Sequence, residues 1–396
     1  MKSLFTILLV FISLFVNSQP IKVAGIKPTI AIDDAVSFTG FNNVYALGDS
    51  YTNPGLGATA PTLSNMWLQK ALDVMTGRTL SNYADIGTGY QTSLHESLEN
   101  LPGEDNTEGG FILCGINDVN LRGSAANNLS TCYERFLSII INHFLGTAAT
   151  AGSGTYTQPG QWNRNYEPPF GKAAYITDPT YGAAIANSNY PTSGELSYSF
   201  SGSHVVLGYY SSNSYAAGGV VLGTFDVYID DVFVETIDSH ESNSVSYPGW
   251  EVFGEYNPRT RLYTGLSTGA HTIKIRVTDV RAAGIIIDYF GLLCNPNNAA
   301  PLVVMSAPKI ANYNQGGSYV NGSDAAVDAY NSEIFSVITL IKSLGRYPIA
   351  FGLTNSTTPA SMAIDTGADF DPDGIHMDQS GHDKLRDRVL SKISSY

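Results

Sequence analysis

Basic side chains are scarce in this 396-residue chain. Twenty-one lysines and arginines face 35 aspartates and glutamates, a formal net charge of −14. Nucleic-acid binding rests on a basic stripe that neutralises phosphates, and none is legible here. The same imbalance opposes tight docking on an anionic membrane. Cysteine is nearly absent, with only Cys114, Cys132 and Cys294, so a dense disulfide scaffold is excluded and at most one bridge can form. HExxH, CxxC and P-loop patterns are all missing, so neither a metal nor a nucleotide cofactor is expected. Beyond one N-terminal run there is no long apolar stretch, which argues against stable membrane insertion.

That N-terminal run extends from Leu4 to Val16, after Met1-Lys2-Ser3 and before Asn17-Ser18-Gln19-Pro20. A charged start, a short apolar stretch and a polar end are the pattern of a secretory signal peptide, assigned to residues 1–19. The run is too short to span a bilayer, and no Cys stands near the expected cleavage point to carry a lipid. The mature protein is therefore expected to be secreted or periplasmic. Export permits one disulfide. Cys114 sits in an apolar strand-like run and reads as a buried thiol, and Cys132–Cys294 is one candidate bridge.

Two textures alternate along the rest. From Asn43 to about Gly146 the pattern is strand, loop, helix, repeated. Val44–Leu47 and Gly110–Cys114 are apolar strand-like runs, while Leu63–Met75 carries Met66, Trp67, Leu68, Ala71, Leu72 and Met75 at helical spacing. Tyr133–Leu145 reads as a helix stopped by Gly146. Residues 147–155 have the Ala, Gly, Ser and Thr composition of a linker. Short alternating runs then follow to about Leu293, including Glu195–Phe200, His204–Tyr210, Phe225–Asp230, His271–Val277 and Ile285–Phe290. Strands at this spacing without helical patterns between them predict an all-β sandwich. The first texture then returns, with strands at Leu302–Met305 and Tyr347–Phe351 and helices at Asp324–Leu344 and Lys384–Ile393. The fold class is thus α/β, interrupted by a β-sandwich: segments 43–149 and 299–396 form one domain, and 152–294 is inserted.

Four short segments fall in the order that a serine hydrolase needs. Gly48-Asp49-Ser50 follows the first strand. Asn82 is followed by Gly87 after the second. Gly115-Ile116-Asn117-Asp118 follows the third, and Asp373-Gly374-Ile375-His376 lies near the C-terminus. A serine hydroxyl is a weak nucleophile and needs a base, which itself needs an orienting group. Asp373 and His376, three apart, can supply both from one segment. The oxyanion of the tetrahedral intermediate needs fixed donors, for which the N–H of Gly87 and the amide of Asn117 are suited. Alternatives exist at several positions. Gly89 competes with Gly87 as the turn donor. Asn117 and Asp118 also suit a helix cap, and Asp118 is read as structural. His382, four after Asp378, is a rival base, more simply explained as a surface histidine. Gly265-Leu-Ser267-Thr-Gly269 matches the G-x-S-x-G elbow, but a strand-like run follows it where the elbow requires a helix. Ser267 is read as a hairpin-loop serine.

The four segments resemble the blocks of the SGNH/GDSL hydrolase family: GDS at Gly48–Ser50, the second-block glycine at Gly87, GIND at Gly115–Asp118 and DxxH at Asp373–His376. The resemblance covers about 43–146 and 299–396. It implies a flavodoxin-like three-layer domain with esterase, acetylesterase or lipase activity and no cofactor. It also implies a catalytic set of Ser50, Asp373 and His376, and an oxyanion hole formed by Ser50 N–H, Gly87 and Asn117. The insertion is similar, more loosely, to galactose-binding-like jelly rolls of carbohydrate-binding modules, through Phe225–Val234, Thr264–Ile275 and Ile287–Phe290. The expected activity is removal of O-acetyl groups from carbohydrate. The rivals are a lipase or lysophospholipase, and a sugar-binding protein with a dead hydrolase fold. The insertion joins a helix to the next strand, the connection opposite the expected active edge. Its excision is therefore expected to leave small-ester turnover within about tenfold.

Overall fold

The computed structural model describes residues 35–53, 62–87, 89–90, 93–94, 97, 107–150, 155–156, 162–166, 183–186, 194–213, 222–241, 256–279, 281, 285–314 and 320–396. The signal-peptide assignment at 1–19 lies outside them.

The described residues fold as a mixed α/β structure with a five-stranded parallel sheet, two largely antiparallel sheets, and a short parallel pair of Val36–Ser37 with Ile393–Ser395. The parallel sheet has five strands: β1 (Asn43–Gly48), β2 (Thr79–Asn82), β3 (Glu108–Leu113), β4 (Leu302–Met305) and β5 (Ile349–Gly352). Their order across the sheet is β5-β4-β3-β1-β2, which is second, first, third, fourth, fifth along the chain. From β1 the chain first steps outward to β2, then crosses back and continues the other way. With right-handed crossovers, that reversal puts helices on both faces. Accordingly α1 (Trp67–Val74) packs with α5 (Gln379–Leu390), while α3 (Ala126–Phe144) packs with α4 (Asp324–Leu344). The inner strands are buried on both sides and read as continuous apolar runs, Val-Tyr-Ala-Leu in β1 and Leu-Val-Val-Met in β4.

Helix α4 shows how the sequence sets an element. The Ser323 hydroxyl accepts the N–H of Ala326 at 3.1 Å and caps the helix, with Asp324 in its first turn. Val327, Tyr330, Ile334, Val337, Ile338 and Ile341 then recur every three or four residues and are fully buried. Each contributes on the order of 1.5–3 kcal/mol of burial.

The described strands between Leu145 and Leu293 form a sandwich. One sheet carries Glu195–Ser201, Thr224–Ile229, Val232–Asp238 and Ala270–Asp279; the other carries Leu145–Thr150, His204–Asn213, Tyr256–Thr264 and Ile285–Leu293. Their facing residues, among them Leu196, Leu207, Phe225, Val227, Ile273, Ile275 and Phe290, make a second core.

Residues 147–150, expected as linker, belong to this sandwich. The strand Leu145–Thr150 continues directly from α3 and pairs antiparallel with Ile285–Leu293, the strand that leaves the sandwich. Gly146 is needed there because a Cβ would meet the Cys294 backbone at 2.6 Å. Cys294 N–H in turn donates to the Phe144 carbonyl at 2.7 Å. Val206, Tyr289 and Leu293 of the sandwich share the core of the α/β part, and Arg261 pairs with Glu134 of α3 at 3.1 Å. These strands therefore pack directly against α3 and its core. The candidate Cys132–Cys294 bridge is not formed. Cys294 sits against Phe144, and Cys132 lies twelve residues earlier on the same helix, about 18 Å away at ~1.5 Å per residue. A disulfide spans less than about 7 Å between Cα atoms.

Candidate active site

In a doubly wound sheet, ligands bind beyond the carboxyl ends of the strands, at the point where strand order reverses. Here that point lies between β1 and β3, adjacent parallel partners with Gly48 opposite Leu113. Ser50 stands two residues after β1. Asn117 stands four after β3, buried in the first turn of α2 (Ile116–Arg122). Both segments end in geometry that a larger residue could not adopt. At Gly48 a Cβ would meet the Leu113 carbonyl oxygen and Thr52 Oγ1, each at 2.5 Å. Gly115, at φ 112°, would bring a Cβ within 2.5 Å of Tyr90 Oη.

The turn carrying Ser50 is held from below by Asp49. Its Oδ1 accepts the Tyr51 N–H at 3.1 Å, and its carbonyl accepts the N–H groups of Thr52 and Asn53. Asp49 is fully buried and its Oδ2 has no hydrogen-bond partner. Burial raises its pKa to about 7, with nearby Asp118 adding to the rise against the Tyr51 N–H. Ser50 itself is half-buried.

Asp373 and His376 are joined as the spacing predicts. His376 Nδ1 lies 2.7 Å from Asp373 Oδ2, and Asp373 Oδ1 accepts the N–H groups of Ile375 at 2.8 Å and His376 at 3.0 Å. Partial burial works to raise the Asp373 pKa, but the hydrogen bonds from His376 and the two amides outweigh it and hold the carboxyl below its ordinary value. The carboxylate therefore keeps the Nδ1–H tautomer and leaves Nε2 as the basic nitrogen. The segment is a closed hairpin: Phe370 and Met377 bridge, Asp371 N–H donates to the His376 carbonyl at 2.8 Å, and Gly374, at φ 68°, makes the turn. Asp369 braces its base, accepting Lys384 Nζ at 2.6 Å and Ser380 Oγ at 2.6 Å.

Tyr51 ties this hairpin to the serine turn. Its hydroxyl donates to the Ile375 carbonyl, and its ring centroid lies 6.5 Å from that of His376. Nothing in the sequence marked Tyr51 for this, since an aromatic after Gly-Asp-Ser reads as core. Gly87 is in a turn at φ 75°, with open space where a Cβ would be. Gly89 instead packs on Asp118, whose Oδ2 would lie 2.1 Å from an added Cβ and accepts the Tyr90 N–H at 2.9 Å. Asp118, buried in α2 with Arg122 and Arg135 both at 3.9 Å, braces that approach. Asn117 and Asp118 thus lie within α2 and do not cap α3. His382 is not a surface histidine. It is buried inside α5, its Nδ1 has no partner, and burial pushes its pKa down to about 4. The nearby Asp378 carboxylate caps α5 by accepting the Gly381 N–H. Among the described residues, no three His, Cys, Asp or Glu side chains gather as a metal site would require.

A second Ser–His–Asp array stands on the sandwich. His271 Nε2 is 3.2 Å from Ser267 Oγ, and His271 Nδ1 is 2.6 Å from Asp230 Oδ2. Nε2 also lies 2.9 Å from the Ser267 carbonyl oxygen. Carbonyl and carboxylate oxygens only accept, so both contacts draw on the ring nitrogens as donors. The Asp230 hydrogen bond raises the His271 pKa accordingly. With Nε2 engaged as a donor to the Ser267 carbonyl, the ring is not poised to take the Ser267 proton. The array staples the Asp230–Asp231 turn, both at positive φ, to the loop before the strand Ala270–Asp279.

No family model matches the chain, and no curated protein matches it. Solved structures of low similarity do. The 4-O-methyl-alpha-glucuronidase BtGH115A, with specificity for decorated arabinogalactans, is 16% identical over 38% of this chain, at a TM-score of 0.26. This chain spans only 18% of that protein. A family 35 carbohydrate-binding module from Clostridium thermocellum is 12% identical over 38% of this chain and all of its own length, at 0.25. A two-domain esterase active on acetylated mannans is 9% identical over 66% of this chain and 97% of its own, at 0.34. Likeness at this level assigns neither a family nor an activity.

Proposed function

We propose that this protein is an exported serine carboxylic ester hydrolase of the SGNH/GDSL type, with a flavodoxin-like catalytic domain, that removes O-acetyl groups from carbohydrate. The observation that carries the reading is the convergence at the switch point. The Ser50 turn and Asn117 leave β1 and β3 side by side, and Tyr51 bonds the former to the Asp373–His376 hairpin.

In this reading Ser50 Oγ attacks the acyl carbonyl and forms a C–O bond, while His376 Nε2 takes the hydroxyl proton. Asp373 holds the ring and stabilises the imidazolium. The oxyanion is received by the N–H groups of Ser50 and Gly87 and the Asn117 amide. Collapse breaks the ester C–O bond, and His376 returns the proton to the departing sugar hydroxyl. Water, deprotonated by the same histidine, then releases acetate from Ser50. No cofactor enters. The sandwich, with its resemblance to carbohydrate-binding modules, supports a polymeric carbohydrate as the alcohol part.

A chain-length series of aryl esters tests the reading. Acetate esters should be cleaved faster than octanoate or longer ones. A preference for long chains selects a lipase, and no hydrolysis at all selects a sugar-binding protein.

A further inference from the structure

A groove of about 750 Å³ runs between α1 and β2, the last strand of the parallel sheet among the described residues. Its floor is apolar, made by Leu72 and Leu80. Its rim is polar. Gln69 and Asp73, four apart, project from one face of α1, and Asn82, two after Leu80, extends the same side of β2. The rim is also attached to the catalytic turn. Asn53, three residues past Ser50, donates to the Ala84 carbonyl at 2.8 Å, and Asn82 donates to the Thr52 carbonyl at 3.2 Å.

The lining specifies a ligand chemistry. Side-chain amides offer a donor and an acceptor together, as each sugar hydroxyl does. Gln69 donates to Asp73 Oδ1 at 3.1 Å, which orients both groups and leaves Asp73 Oδ2 and the Gln69 carbonyl as acceptors. Arg78, the cation in the lining, is committed elsewhere. Its Nη1 donates to the Met75 carbonyl at 2.6 Å and its Nη2 to the Phe38 carbonyl at 2.9 Å. An anionic chain would meet the Asp73 carboxylate and a net charge of −14, against the single guanidinium of Arg78, whose Nη groups are turned to main-chain carbonyls. A neutral polyol meets acceptors, amides and an apolar floor for its ring faces.

We infer that this groove is a subsite for the neutral sugar chain of the substrate, beside the acetyl-transferring turn; the inference rests on the ester-hydrolase reading. The four residues of β2 give it a length of about 13 Å, enough to contact the chain beyond the esterified sugar. Binding there acts on capture and orientation and adds nothing to the chemical step at Ser50.

The test separates the groove from the chemistry. Unesterified mannopentaose and xylopentaose are titrated calorimetrically into the full-length wild type and into Gln69→Ala and Asp73→Ala. In parallel, KM is measured on acetylated mannan and kcat/KM on an aryl acetate. Both positions are solvent-accessible, so the variants should fold, and circular dichroism checks this. The expected result is at least fivefold weaker binding of one or both oligosaccharides in each variant. KM on the polymer should rise similarly, with aryl acetate turnover within twofold of wild type. Sugar binding equal in wild type and variants places the carbohydrate elsewhere and overturns the inference. So does an unchanged polymer KM, or no binding of either oligosaccharide. If the protein cleaves no ester yet loses sugar binding in the groove variants, the ester-hydrolase reading fails and the groove stands.

Discussion

Replacing Asp49 by Asn probes the floor of the serine turn. In the folded protein this carboxyl has a pKa of about 7, against 3.8 for an ordinary aspartate, chiefly because burial penalises the charge. The folded state therefore binds the proton more tightly than the unfolded chain. Between these two values, stability falls as pH rises, by about 1.4 kcal/mol per pH unit. The full difference of about 3 pH units is worth about 4 kcal/mol above pH 7. Asparagine keeps an Oδ1 for the Tyr51 N–H and cannot ionise. Its buried NH₂ carries a cost of about 1–3 kcal/mol that does not change with pH. The informative quantity is thus the change in the stability difference between pH 4.5 and pH 8. Urea unfolding at both values should show Asp49→Asn gaining about 3 kcal/mol on the wild type across that range. A stability difference independent of pH, or one that moves against the variant as pH rises, refutes the argument.

Three further outcomes are expected. Gly48→Ala should lose about 1–3 kcal/mol in unfolding experiments, since the new Cβ meets the Leu113 backbone oxygen at 2.5 Å; a neutral result would show that the β1–β3 contact yields. Ser267→Ala should leave esterase turnover within twofold in a standard rate assay, because His271 Nε2 is engaged with the Ser267 carbonyl and Nδ1 with Asp230; its inactivation would move the site to the sandwich. Excising residues 152–294 should destabilise the α/β part, because the strand Leu145–Thr150 loses its Ile285–Leu293 partner and α3 loses its cover. An excised variant with an unchanged melting curve would restore the picture of a detachable module.

The strongly periodic elements were legible in the sequence. Asp324–Leu344 is a helix with the expected ends, because a serine cap, a first-turn acid and six regularly spaced apolar residues agree. Two strand-like runs of the sandwich, Thr224–Ile229 and Ala270–Asp279, alternate in and out as their sequence does, while Ile285–Leu293 is buried on both faces. What failed was non-local. The small residues after Phe144 look like linker on composition. They are a strand only because a strand 140 positions later lies beside them, and Gly146 is small to admit Cys294 rather than to stop a helix. The first turns of α3 and α5 are polar, with Asn and Ser at positions that read as loop, so both helices begin earlier than their apolar spacing indicates. In the candidate site, Asp373 and His376 could be paired from their spacing. The burial of Asp49 and the bridge from Tyr51 to Ile375 depend on strands meeting across the sheet, which no local pattern records.

The central claim is that Ser50 is the nucleophile and His376 its base. Incubation with a fluorophosphonate ester, followed by intact mass and peptide mapping, tests it directly. One adduct per chain is expected, located on Ser50, with His376→Ala slowing its formation at least about a thousandfold and His382→Ala changing it little. An adduct on Ser267 or another serine, or normal labelling in the His376 variant, contradicts the account.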